Sequence, residues 1–167
     1  MTYKEAQTEV SVLHRFRPVP PPPPFWHAVR MMSTMPAIDD VRKLSRALLE
    51  FHKMLIDAAR DDYVRAHGIA LSPSALLELL MGDSSFNWLQ PLTQAIVAID
   101  EAVANDEGEG IRAGVDKVSD LLAATADDPG SLAAHAAAYA SESAAISMAE
   151  QRARTLLDVA KASLDTL

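Results

Sequence analysis

The sequence contains no cysteine, which removes disulfides, thiolate zinc sites, iron-sulfur clusters and cysteine nucleophiles at once. Aromatic residues make up only 5% of it, although hydrophobic residues make up 49%. The apolar content is therefore carried by Ala and Leu, strong helix formers, and points to helices packed closely through small side chains. Glycine occurs six times, and no Gly-x-Gly-x-x-Gly, Walker loop or Gly-x-Ser-x-Gly is present. Phosphate-cradling loops and the hydrolase elbow thus have no support. There is no run of about 18 apolar residues to span a bilayer, and no signal-peptide-like stretch at the start. The expected setting is cytoplasmic, without a membrane partner. Lys and Arg number 15 against 23 Asp and Glu, a formal charge of −8, which opposes unspecific attraction to nucleic acid or anionic lipid. One modest basic patch, Arg42, Lys43 and Arg46, is outweighed by the acidic remainder, so nucleic acid is not an expected partner.

What is present begins with an unusual segment. Residues 1–36 hold seven of the ten prolines, including the run 20–24. Their charges, Lys4, Arg15, Arg17 and Arg30 against Glu5 and Glu9, give +2 and leave −10 for the rest. A proline run cannot join a helix interior and favours the extended polyproline II (PPII) conformation. The segment is expected to be an extended tail. Two readings of it stand side by side: a ligand for an aromatic-lined groove, with arginine beside Pro-x-x-Pro, or an extension with no specific role. Met31, Met32 and Met35 fit the second, since each offers a start just before the first regular helical pattern.

The remaining residues, 37–167, suit a single helical domain. A helix is expected over residues 38–66, with Asp39 and Asp40 in its first turn and Gly68 as its stop. Val41, Leu44, Leu48, Phe51, Leu55 and Ala58 form its apolar stripe, widened by Leu49, Ile56, Ala59 and Tyr63. Ser72-Pro73 opens a short second helix, apolar almost all round, whose pattern predicts cover on two sides. Residues 86–104 are the most hydrophobic stretch, with Trp88, Leu89, Leu92, Ile96, Ile99 and Val103 at helical spacing. This stretch is the expected central core helix. Pro91 requires either that the regular helix starts near Trp88 or that it is kinked. Further helices are expected over 111–126 and 131–166, the latter alanine-rich with a break near Ser141 to Ser143 as an alternative. The fold class is therefore all-α, a four-helix up-down bundle with one extra short helix and a proline-rich tail.

The side chains that carry chemistry are sparse. The five histidines are isolated, and neither Glu-x-x-His nor His-x-x-x-His occurs, so the paired-carboxylate di-iron pattern is absent and no metal ligands are assigned. His52 and His135 lie near apolar faces, where they either meet across the bundle as haem or metal ligands or serve as separate surface or half-buried, hydrogen-bonded histidines. Asp106, Glu107 and Glu109 lack the alternating spacing of a calcium loop. Asp100 beside Ile99 is expected to form a structural ion pair with an arginine of a neighbouring helix.

The least ordinary set is Phe86, Asn87, Trp88 and Gln90, where a flat apolar wall and two amides border one helix start. With His52 and His135 these are the candidate ligand-binding residues; no catalytic residue is assigned, and no cofactor is specified. The leading expectation is a non-enzymatic module acting through protein contact and self-association, with the alanine-rich face of the last helix as interface. Its partners would be another protein or a second copy. The alternatives are a binding protein for a small apolar ligand near Trp88, and an enzyme using His52 or His135 with a carboxylate.

Overall fold

The computed structural model describes residues 25–166, and among them it is all-α: six α-helices and one 3₁₀ segment, with no strand. The first helix, α1, spans Phe25–His67 and carries Pro36 inside it. It thus begins ahead of the expected position 38, and Asp39 and Asp40 are interior residues rather than first-turn residues. Their charges are used sideways instead: Asp39 pairs with Arg42 at 3.2 Å and Asp40 with Lys43 at 2.7 Å, one turn on. The rest of the proline-rich segment, residues 1–24, lies outside the described residues, and with it most of the expected tail. At the other end the expected stop holds. Gly68 adopts φ +66° and its N–H donates to the Val64 carbonyl at 2.9 Å, the left-handed cap that glycine adopts without strain.

Along α1 the stripe Val41, Leu44, Leu48, Phe51 and Leu55 is fully buried. Of the four residues expected to widen it, Ala59 is buried and Ile56 and Tyr63 pack against the core, whereas Leu49 is 47% exposed. The outer face is laced as its charge spacing implies, with Lys53 to Asp57 at 2.8 Å and Arg60 bridging Asp57 at 3.4 Å and Asp61 at 2.9 Å. These exposed pairs contribute little each, because water screens them.

Ser72 caps α2 (Pro73–Gly82) by accepting from the Ala75 N–H, with Pro73 at the first helical position. Asp83 then accepts from the Ser85 N–H at 2.8 Å and opens the 3₁₀ segment Ser84–Leu89. Next comes α3 (Gln90–Ala104), with Pro91 in its first turn, where a missing amide donor is no loss. Of the two ways to accommodate Pro91, a helix start is the one realised. Phe86, Trp88 and Leu89 of the 3₁₀ segment and Leu92, Ala95, Ile96, Ile99 and Ala102 of α3 are buried.

The helix α4 spans Gly108–Ala123, and the last expected helix is divided into α5 (Leu132–Glu142) and α6 (Ala144–Asp165) by Ser143. Ser143 leaves helical geometry at φ −133°, ψ 109°, and its side chain accepts from the Ile146 N–H. Serine competes for backbone donors in this way, so it caps a new helix rather than continuing the old one.

Side-chain pairs fix how the helices run. Ser163 donates to Asp40 at 2.8 Å and Arg152 to Glu50 at 3.0 Å, so α6 lies antiparallel along α1. Ser45 meets Asp100 and His52 meets Thr93, so α3 is antiparallel to α1 on another side. Arg112 reaches the Leu164 carbonyl at 2.6 Å and Lys161 the Ser119 hydroxyl at 3.0 Å, joining α4 to α6. Between α3 and α4 the approach is closest at Gly114, where an added Cβ would stand 2.6 Å from Ile99 Cγ1. Replacing Gly114 by Ala is therefore expected to destabilise the fold by about 1–2 kcal/mol, even though alanine is the better helix former by about 1 kcal/mol. Chemical denaturation checks this; a stabilised variant would show that the two helices separate without penalty.

Candidate functional site

The six residues singled out from the sequence divide into two groups. Trp88, held by the 3₁₀ segment, is 7% exposed and stacks on His135 of α5 with ring centroids 4.4 Å apart and 14° between planes. Tyr139, one turn further along α5, tilts against the same indole at 6.1 Å. Phe86 is 2% exposed and faces Tyr63 of α1 at 5.8 Å. Gln90 donates from its side-chain amide to the Leu80 carbonyl at 2.9 Å, tying α2 to the start of α3. Asn87 is exposed.

His52 sits apart from this cluster, on the seam between α1 and α3. Thr93 donates its hydroxyl hydrogen to the Leu89 carbonyl at 3.1 Å, so the 3.0 Å contact between His52 Nε2 and the same hydroxyl requires Nε2 to be the donor. Asp100 lies seven residues on from Thr93, about 10 Å along the helix. It does not form the expected ion pair; its Oδ1 accepts from Ser45 Oγ at 2.6 Å. Ser45 is the one buried polar residue among those described, and a hydroxyl satisfies the carboxylate without requiring a second charge to be desolvated. His52 and Asp100 are thus separately engaged and do not make an acid–base pair.

Burial displaces several protonation equilibria. His52 and His135 are both pushed below the ordinary imidazole value by desolvation. Tyr139 is pushed up to about 12, first by burial and then by the carboxylate of Asp62, which makes its phenol a poorer acid at neutral pH. Asp40 is held below the usual carboxylate range chiefly by its hydrogen bond from Lys43, then by Ser163. Among the described residues no group of three or more His, Asp or Glu is placed to hold a metal ion, and every buried side-chain N or O has a partner.

Clefts open on the surface formed by the described residues. One of about 380 Å³ lies between α1 and the α5–α6 junction, lined by Asp57, Asp61, Asp62, Arg65, Tyr139 and Glu142 among others. Its α1 carboxylates are already paired with Lys53, Arg60 and Arg65. A second, of about 130 Å³, lies under the α4–α5 connection against Phe51 and Leu122. A third, of about 370 Å³, is bounded by Tyr63, Ile69, Leu71 and the α2 residues Ala75, Glu78 and Leu79. None of these clefts is lined by Trp88, His135 or His52.

The region that the sequence analysis passed over is α2 itself. Its expected cover on two sides is not there: no residue of α2 is buried, Leu77 is 57% and Met81 78% exposed, and Ile69 just before it is 49% exposed. A 10-residue helix, Pro73–Gly82, too short to hold itself together in water, rests on the body by one flank only. The signal was the composition Pro-Ser-Ala-Leu-Leu-Glu-Leu-Leu-Met-Gly, with one charged residue and apolar positions on nearly every side.

Compared with known proteins, the chain matches no family model, no curated protein and no solved structure.

The two histidines give a pH signature. With folded pKa values below about 6.5, the unfolded chain takes up protons first as pH falls, so stability is full above that value and is lost as pH drops through it. The melting temperature is expected to fall between about pH 7 and about pH 5, and to fall less in a His52→Gln, His135→Gln variant. Circular dichroism melts check this; identical pH profiles for the two proteins would refute it.

Proposed function

We propose that this chain is a non-enzymatic helical-bundle protein that works through protein–protein contact and self-associates, with α2 as the contact element. In this reading α1, α3, α4 and α6 form a four-helix up-down bundle, and α2 stands outside it as the surface offered to a partner. The observation that carries the reading is the exposure of Leu77 and Met81, one helical turn apart and so aligned on one flank. Covering a leucine or methionine side chain contributes about 2 kcal/mol, and large apolar side chains grouped on a monomer's surface mark contact sites.

The alanine-rich stretch first considered for self-association has less to offer. Leu132 and Ala136 of α5 are buried within the chain, and Ala137 and Ala138 on its exposed side add little apolar area. A small ligand beside Trp88 is the weaker alternative, because Trp88 lines none of the clefts described. Catalysis by His52 has no carboxylate within reach on α3, since Asp100 is engaged by Ser45 two turns away.

The reading is tested by light scattering on the full chain at about 50 µM, a concentration suited to contacts of micromolar strength. The expected result is a mass above that of one chain, lowered by Leu77→Asp with Met81→Asp. Helicity should be unchanged, since neither side chain is buried. A single-chain mass for the unaltered protein, or a mass indifferent to the double substitution, would overturn the reading.

A further inference from the structure

We propose that the cleft between the end of α1 and α2 receives the arginine-flanked proline run, residues 15–24, of a second copy of this chain. The inference rests on the self-association proposed above but uses the opposite flank of α2. Leu79 lines the cleft, whereas Leu77, two residues away and so about 200° round the helix, points elsewhere.

The cleft has the chemistry such a ligand needs. Its volume is about 370 Å³, and its lining includes the aromatic Tyr63, the apolar Ile69, Leu71 and Leu79, and the acidic Glu78 and Asp83. Tyr63 is held in place by stacking on His67, ring centroids 4.0 Å apart. Neither Glu78 nor Asp83 belongs to an ion pair among the described residues. Hydrogen bonds from Ser85 hold the Asp83 carboxyl below its ordinary range, so it stays charged.

The complement is in the sequence. Between Glu9 and Asp39 there is no carboxylate, while Arg15 and Arg17 directly precede Pro18 and the proline run 20–24. Proline runs favour the PPII conformation, lose little entropy on binding, and dock against aromatic side chains, with a flanking arginine meeting an acidic edge.

Reach decides which copy supplies the segment. Tyr63 stands 38 residues along α1 from Phe25, about 57 Å at the helical rise. Arg15 is ten residues from Phe25, at most about 36 Å even fully extended. A chain therefore cannot lay this segment in its own cleft. The contact joins two different surfaces, so it closes as a pair only when the copies lie antiparallel, and otherwise propagates.

The test is a titration of a fluorescent synthetic peptide of residues 13–26 into the full chain carrying Arg15→Glu and Arg17→Glu, which removes competition from the chain's own segment. Saturable binding is expected, weakened about tenfold when Glu78→Lys is added and unchanged by Leu77→Asp with Met81→Asp. Glu78 is exposed, so its substitution leaves the fold intact, which circular dichroism verifies. Absence of saturable binding, or an affinity indifferent to Glu78→Lys, overturns the inference. If the peptide fails to bind while the unaltered chain still associates through Leu77 and Met81, the inference falls and the self-association reading stands. If the peptide binds but the unaltered chain remains at single-chain mass, both the self-association reading and the second-copy assignment fall.

Discussion

Five side chains of α1, Val41, Leu44, Leu48, Phe51 and Leu55, lose all contact with water, and the helices packed along α1 are placed by the need to keep them dry. Fully burying side chains of this size contributes on the order of 2 kcal/mol each. No single neighbouring helix is wide enough to cover the row. Two antiparallel partners share the task, α6 on one side and α3 on the other, and α4 packs on those two in turn, burying Val115, Val118 and Leu122. The polar contacts across these seams, such as Ser45 to Asp100 and Ser163 to Asp40, set the longitudinal register of rods that the apolar contacts alone would allow to slide.

Much of this was legible because period and punctuation agreed. The row on α1, the Gly68 stop, the Ser72-Pro73 start and the buried Trp88 all follow from rules that act within one or two turns of chain. The parts that were not legible depend on neighbours. Nothing local says that Leu49 faces water, which depends on which flanks the neighbouring helices cover, or that Asp39 and Asp40 sit mid-helix, which depends on α1 continuing back through Pro36. The division at Ser143 was visible only as an alternative, because an alanine-rich stretch is compatible with both a straight run and a break. The partner of Asp100 was misjudged for a related reason: helical spacing indicates that a carboxylate lies beside a seam, but not whether the opposite position is arginine or serine.

The candidate site shows the same division. Phe86, Trp88 and Gln90 each meet a different neighbour: the Tyr63 ring, the His135 imidazole and the Leu80 carbonyl. His52 was drawn into that group by its apolar surroundings and stands apart from it, bonded to Thr93. Conversely, leucine on all sides of α2 predicts an enclosed helix. A helix of three turns at the edge of a body has only one flank to give, so surplus leucine there becomes surface.

Ser143 closes α5 by donating its N–H to the Tyr139 carbonyl at 2.9 Å and opens α6 by accepting, at its own carbonyl, from the Ser147 N–H at 3.1 Å. One residue thus terminates two helices, and their ends cannot fray independently. Loosening the last turn of α5 releases the cap of α6, so amide hydrogens on either side of position 143 should exchange with solvent as a single cooperative unit. Tyr139 lies within that unit, and its contact with Trp88 couples the opening of the junction to the exposure of the indole.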